Sequence, residues 1–203
     1  MVETAKGPVE VVELTRAGQA AVRRAAEARA TVPALPALVA AVARALRAHP
    51  AVNGAYRDGR LELYSRVNVG VAVAAQDALV VPTIFDADTK GLRQIATEAR
   101  ALALRVREAT ITPPELSGGT FTVSNLGMFV ISSFAAVINP PQAGILAVGA
   151  IAEKPVVRDG ELAIGQLMSM TLACDHRILY GADGAEFLAR VRGLLEEPLG
   201  LAL

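Results

Sequence analysis

Residues 167–195 constrain the fold more than any other stretch of this chain. The run 167–174, Leu-Met-Ser-Met-Thr-Leu-Ala-Cys, is apolar and β-prone enough to predict a buried strand. It stops at Asp175-His176-Arg177, and Gly181-Ala182-Asp183-Gly184 opens the next segment. Phe187, Leu188, Val191, Leu194 and Leu195 then recur at helical spacing, which predicts an amphipathic helix. A histidine at such a strand-to-turn junction sits where the backbone is fixed and its ring can meet a ligand. His176 is one of only two histidines. An imidazole with an ordinary pKa near 6.5 can take and return a proton at neutral pH. A structural histidine, satisfied by backbone groups, is the other reading that the residues leave open.

The chain has 203 residues, enough for one domain with a sizeable core. Its hydrophobic fraction of 53% and mean hydropathy of +0.40 are high for a soluble monomer. Subunit contacts explain such an excess more economically than a membrane does. No apolar run approaches the ~20 residues that span a bilayer. Arg44 and Arg47, Gln76 and Asp77, and Asn139-Pro140-Pro141 interrupt the richest stretches. Nothing at the N-terminus has the pattern of a signal peptide. The formal net charge is zero, so charge gives no reason to expect a nucleic-acid partner. The single cysteine, Cys174, permits no internal disulfide and fits a reducing cytoplasm.

Taken in order, residues 1–8 read as a linker end and 9–14 as a short edge strand. Thr15 is placed to cap a helix over 16–29. A second helix is expected over 37–48, stopped by His49-Pro50. His49 there fits a cap role, since a cation favours the C-terminal end of the helix dipole. Two Asp-Gly pairs, Asp58-Gly59 and Asp159-Gly160, predict hairpin turns. Residues 67–75 and 79–85 read as two apolar strands, with Pro82 marking an edge or a bulge. A long helix is expected over 89–109. Residues 118–124 alternate apolar and hydroxyl side chains as a half-buried strand would, then break at Asn125-Leu126-Gly127. The run 145–151 is a buried strand after a rigid proline turn.

Other chemistries find no support in the residues. The histidines and the cysteine lie too far apart in sequence for metal-ligand spacing. There is no phosphate-binding glycine motif. Ser124 lacks the Gly-x-Ser-x-Gly context of a nucleophile elbow.

Asp-His-Arg-x-x-x-Gly-Ala-x-Gly at 175–184 resembles the C-terminal signature of the dihydrolipoamide acyltransferases, the catalytic cores of 2-oxo acid dehydrogenase complexes. Gly-Gly-Thr-Phe-Thr-x-Ser-Asn-Leu-Gly at 118–127 resembles a second motif of that family, as do Asn139-Pro140-Pro141-Gln142-Ala143 and the opening helix. The family pattern is His-x-x-x-Asp-Gly, shared with chloramphenicol acetyltransferase, and Tyr180 stands here in place of the aspartate. Gln19 stands where the opening helix usually carries a basic residue. Near residues 33–36 the usual strand and helix are absent, on the order of twenty-five residues by their usual lengths.

The resemblance implies a chloramphenicol-acetyltransferase-like α/β fold, a mixed β-sheet with packed helices that forms trimers. Residues 1–13 would be a linker end or edge strand, and 14–203 the catalytic domain. It implies acyl transfer between dihydrolipoamide and coenzyme A, with the lipoyl group carried on a separate domain. His176 would be the general base, Ser124 the oxyanion donor and Tyr180 an altered brace, with Asn125 and Gly127 at the coenzyme A site. An aspartate at 180 is expected to burden folding, because Gln19 offers it no positive partner. His176 and Ser124 would come from different subunits. The apolar C-terminus, with Leu199, Leu201 and Leu203 exposed on the monomer, would dock trimers into a cage of twenty-four or sixty subunits, alongside lipoyl domains and the E1 and E3 subunits. The alternative is a structural core of the same fold with impaired catalysis.

Overall fold

The computed structural model describes residues 4–13, 34–75, 78–197 and 201. Strand β11 (Glu161–Asp175) is the spine of the sheet and contains the strand expected over 167–174. Successive side chains on a strand point to opposite faces. Leu172 and Cys174 accordingly join the main core, while Ala173 packs with Ile138 and Ile145 in a smaller cluster on the other face.

Among the described residues the main sheet has seven strands. Its path runs from β1 (Thr4–Glu13) through β11, β9 (Gly144–Val148), β8 (Phe121–Asn125) and β4 (Val69–Val71) to β7 (Thr83–Ile84), with β10 (Ala152–Arg158) on the first half of β11. β8 runs parallel to both β4 and β9, and the other pairings are antiparallel, so the sheet is mixed. A separate hairpin, β2 (Gly54–Arg57) with β3 (Arg60–Leu63), joins the end of the sheet where Ala143 N–H donates to Gly54 at 2.9 Å. Both Asp-Gly turns form, with Asp58, Gly59, Asp159 and Gly160 all at positive φ, as such tight hairpins require.

The helices cover one face. α3 (Gly181–Glu196) lies against β1 and β11 and turns Phe187, Leu188, Val191, Leu194 and Leu195 inward, as its spacing predicts. α1 (Ala34–Ala48) packs against both α3 and α2 (Leu92–Arg107). Its residues from Leu38 to Leu46 are almost all buried, which explains why the segment is apolar on every side. Leu201 is also buried, at 1% exposure, and its carbonyl accepts a hydrogen bond from Arg44 at 3.3 Å. That corrects one expectation: Leu201 completes its own chain's core and is not exposed on the monomer. Leu199 and Leu203 lie outside the described residues, as do the expected helix over 16–29 and Gln19.

Three further boundaries differ from expectation. The first strand begins at Thr4, where a linker was expected, because it pairs along β11 from Asp175 to Leu167. The two long strands over 67–85 are four short ones, β4, β5 (Val73–Ala74), β6 (Leu79–Val80) and β7. Pro82 has no N–H to continue a ladder, and the chain leaves the main sheet for the β5–β6 ribbon. The long helix begins at Leu92, not 89. Asp86 is held in a left-handed conformation with its carboxylate on Arg66, so only one 3₁₀ turn forms before Gly91 restarts the chain.

Val130, in the loop after β8, has φ 60° and ψ 22° and is 84% exposed. This left-handed conformation costs an L-residue roughly 1–2 kcal/mol, and a β-branched one is a genuine outlier there. Glycine removes that cost and returns about 0.5–1 kcal/mol through the greater freedom of the unfolded chain. Val130→Gly is therefore expected to stabilise the fold by about 0.5–1 kcal/mol, read as a higher urea midpoint at unchanged slope. A lower midpoint would contradict the strain argument.

Candidate active site

The turn after β11 is pinned on every side except at His176. Asp175 is 3% exposed, and its N–H donates to the Ala143 carbonyl at 2.8 Å. Its own carbonyl accepts the N–H groups of Ile178 at 2.9 Å and Leu179 at 3.0 Å, both buried residues. The Asp175 carboxylate accepts the Arg177 guanidinium through Nε at 2.9 Å and Nη2 at 2.6 Å, and the Arg177 backbone N–H at 3.1 Å. Those guanidinium hydrogen bonds hold the Asp175 carboxyl below the usual carboxylate range. Arg177 lies over the ring of Tyr56 in β2, 4.3 Å from its centroid. His176 is left exposed at the tip, on a backbone with little freedom to move.

Tyr180 meets the His176 ring edge-on, with centroids 5.6 Å apart. It occupies the N-cap of α3, where its N–H donates to Asp183 at 2.9 Å. Tyr180 is 65% exposed within the chain, and Gln19, the residue on which the folding burden expected of an aspartate at 180 depends, lies outside the described residues. Within the chain such a carboxylate would be solvated at a helix N-terminus, a position that favours it. Burial pushes the Cys174 thiol up to about 11, reinforced by nearby Asp183, so it stays protonated at neutral pH and is no nucleophile. His49 was expected to act as a cap. It does stand at the C-terminal cap of α1, where its backbone N–H donates to the Ala45 carbonyl at 2.9 Å, and its ring packs edge-on against Phe187 with centroids 6.1 Å apart.

Ser124 lies near the end of β8. Phe121 and Val123 join the helix-side core, so Ser124 lies on the opposite face. Asn125 accepts the Gly127 N–H through Oδ1 at 2.8 Å and closes the turn that follows. A Cβ at Gly127 would meet the Gly149 carbonyl at 3.0 Å, so only glycine fits without displacing the backbone just after β9. Both residues thus shape the turn beside Ser124.

The sheet does not bring Ser124 and His176 together in one chain. Ser124 pairs with Ala147, and Ala147 pairs with Thr171. His176 lies five residues beyond Thr171 on an antiparallel strand, two strands away. At ~3.3 Å per residue and ~4.8 Å per strand, the two are about 19 Å apart. A cavity of about 490 Å³, with Thr83, Thr120 and Gln142 among its polar walls, opens at the His176 end of the sheet. Among the described residues no cluster of His, Cys, Asp and Glu could hold a metal, and no helix is long and apolar enough to cross a membrane. The sequence reading missed the Asp175–Arg177–Tyr56 stack. Asp-x-Arg across the turn was its local signal, but Tyr56 is distant in sequence.

This sheet order, with helices on one face and the histidine turn at its end, defines a chloramphenicol-acetyltransferase-like fold. Chloramphenicol acetyltransferase itself superposes with a TM-score of 0.63 at 17% identity, over 95% of this chain and 88% of that one. More particularly, the chain belongs to the 2-oxoacid dehydrogenases acyltransferase (catalytic domain) family, whose model matches residues 4–203. It is 44% identical over 162 residues to the mitochondrial dihydrolipoyllysine-residue acetyltransferase component 2 of the pyruvate dehydrogenase complex of Arabidopsis thaliana, covering 78% of this chain and 30% of that protein. Curated relatives of this kind are about three times as long as the matched region, which spans 30–37% of those first compared.

Among solved structures, the dihydrolipoamide acetyltransferase of Azotobacter vinelandii superposes with a TM-score of 0.91 at 30% identity, over 100% of this chain and 85% of that one. Its catalytic mechanism has been investigated at a serine, a histidine and an asparagine four residues beyond the histidine. The cubic core of the pyruvate dehydrogenase multienzyme complex superposes equally well, with a TM-score of 0.91 at 30% identity over 100% of this chain and 85% of that one.

Proposed function

We propose that the chain is the catalytic core of a dihydrolipoamide acyltransferase, moving an acyl group between dihydrolipoamide and coenzyme A. One observation carries the reading: a rigid turn presents His176 to solvent, while Ser124 lies about 19 Å away at the other end of the sheet. Neither residue has its counterpart within reach in its own chain. The pair stands 52 residues apart, the same spacing as the serine and histidine investigated in the Azotobacter relative, which supports the reading.

A neighbouring copy supplies the other half in this proposal. His176 of one chain takes the proton from the incoming thiol, and the thiolate attacks the thioester carbonyl. Ser124 of the next chain donates a hydrogen bond to the oxyanion of the tetrahedral intermediate. Collapse expels the other thiol, which recovers its proton from the imidazolium. Tyr180, beside the imidazole, occupies the place of the relative's asparagine, and Asn125 and Gly127 shape the coenzyme A side of the serine turn.

The copies assemble as trimers and trimers build a larger particle, a reading supported by the likeness to the cubic core of a multienzyme complex. Two exposed apolar surfaces support this. One is the loop of Met128, Phe129 and Val137; the other is the β10–β11 arm, where Val157 pairs with Leu162 and Pro155 with Ile164 on one face. The lipoyl group arrives on a domain outside these residues, and the E1 and E3 subunits and a cytoplasmic setting complete the proposal.

The test is an assay of the assembled chain with dihydrolipoamide and acetyl-coenzyme A. His176→Ala should lower kcat by roughly 10²–10⁴. Tyr180 and the 15% of the Azotobacter chain without a counterpart favour a second reading, an assembly core with impaired catalysis. That reading expects full-sized particles by light scattering and equal, near-zero transfer by wild type and His176→Ala.

A further inference from the structure

We propose that Tyr56, on the β2–β3 hairpin, is a positioning residue for catalysis: its ring holds Arg177, and through Arg177 and Asp175 it holds the turn that carries His176. This rests on the acyltransferase reading above.

The geometry is a stack of three groups from two separate parts of the chain. Asp175 is buried, and the Arg177 guanidinium contacts both of its carboxylate oxygens. The other side of that guanidinium lies over the Tyr56 ring, at 4.3 Å. A guanidinium on an aromatic face is attracted by the ring's negative π-cloud, more strongly where water is partly excluded. Arg177 is itself 40% exposed on its side chain, so without the ring it could exchange the carboxylate for water. The hairpin carrying Tyr56 is tied to the same place by other bonds. Ala143 N–H donates to Gly54, Ala143 carbonyl accepts from Asp175, and Asn53 reaches the Tyr64 and Arg66 carbonyls at 3.0 Å and 2.8 Å. Hairpin and histidine turn thus share Ala143 in the backbone and Tyr56–Arg177 in the side chains. The ring's face performs this task, and its hydroxyl plays no part in it.

The test uses three variants in the assembled protein. Tyr56→Phe keeps the aromatic face, Tyr56→Leu keeps apolar bulk without it, and Tyr56→Ala removes both. The first readout is hydrogen exchange at the Ile178 and Leu179 amides, whose bonds to Asp175 close the turn. The second is the split between kcat and the two KM values. Small misplacements of a reacting group cost rate steeply, so in Leu and Ala we expect roughly tenfold faster exchange at both amides. We also expect a kcat about tenfold lower, with KM values within about twofold of wild type. Phe should stay near wild type in both readouts.

Unchanged exchange in Leu and Ala overturns the inference, and so does a Phe variant as impaired as Leu, or an effect confined to KM. Should Ala fail to fold, the Leu–Phe comparison decides. A wild type without transfer activity sinks the acyltransferase reading, while the exchange rates still show whether Tyr56 holds the turn.

Discussion

Co-assembled in equal amounts, His176→Ala and Ser124→Ala chains are expected to regain about a quarter of wild-type transfer activity, although each alone is nearly inactive. Losing the base should cost roughly 10²–10⁴ in rate and losing the oxyanion donor roughly 10²–10³. The recovery follows from the strand register. Ser124 and His176 are separated by two strands and five residues along the chain, so the proposed site would take one residue from each of two chains. At random mixing, half of the serine positions belong to chains with Ser124 intact, and half of the facing histidine positions to chains with His176 intact. Their product is a quarter, and it is the same at every site of a closed ring. Differently tagged chains, refolded together and confirmed by native mass spectrometry as mixed trimers, provide the measurement. Mixed trimers with no more activity than the separate variants would refute the shared site.

Phe187→Ala is expected to be the most damaging single truncation for stability, at about 3–5 kcal/mol. Phe187 is fully buried in α3, with the Phe121 ring of β8 at 5.5 Å and the His49 ring edge-on at 6.1 Å. It therefore wedges the serine's strand, the end of α1 and the helix after the histidine turn into one another. Against a typical total of roughly 5–15 kcal/mol, that loss removes a fifth or more of the stability. Phe187→Leu, which keeps most of the volume, should cost only about 1–2 kcal/mol. Urea midpoints at one fixed protein concentration test both, since assembly makes apparent stability depend on concentration. A loss below about 1 kcal/mol for the alanine variant would mean that the core collapses around the gap.

Local pattern made some of this legible in the sequence and left the rest hidden. The β11 strand, the histidine turn and α3 were readable because each period, two for the strand and 3.6 for the helix, runs long enough to declare itself. The Asp-Gly turns were readable because few other residue pairs accept positive φ twice in succession. Residues 67–85 misled because an apolar run does not show where its ladder changes partner: β4 and β7 stay in the main sheet, while β5 and β6 form a separate ribbon on which Leu79 is 70% exposed. Leu201 misled because a terminal leucine looks alike whether it docks on its own core or on another chain. The family motifs singled out His176 and Ser124 together, but their separation belongs to the register of β8, β9 and β11, which no local window contains. Arg177 hid for a related reason: its ring partner, Tyr56, lies on a hairpin 121 residues earlier in the sequence.

The pairing of β1 with β11 also sets a timetable. Thr4 is paired in register with Asp175, so the residue next to the histidine is paired with one made 171 residues earlier. At roughly 5–20 residues per second, a ribosome makes the first of these strands on the order of ten seconds before the second. Throughout that interval β1 has no partner, and the alanine-, valine- and leucine-rich α1 has no helix α3 to cover it. Contacts so distant in sequence form slowly even after the chain is complete. The nascent chain therefore passes this interval with an unpaired strand and an uncovered apolar helix, both prone to aggregation. The histidine turn is among the last of these parts to become ordered, so the proposed site is complete only once β1 and β11 have paired.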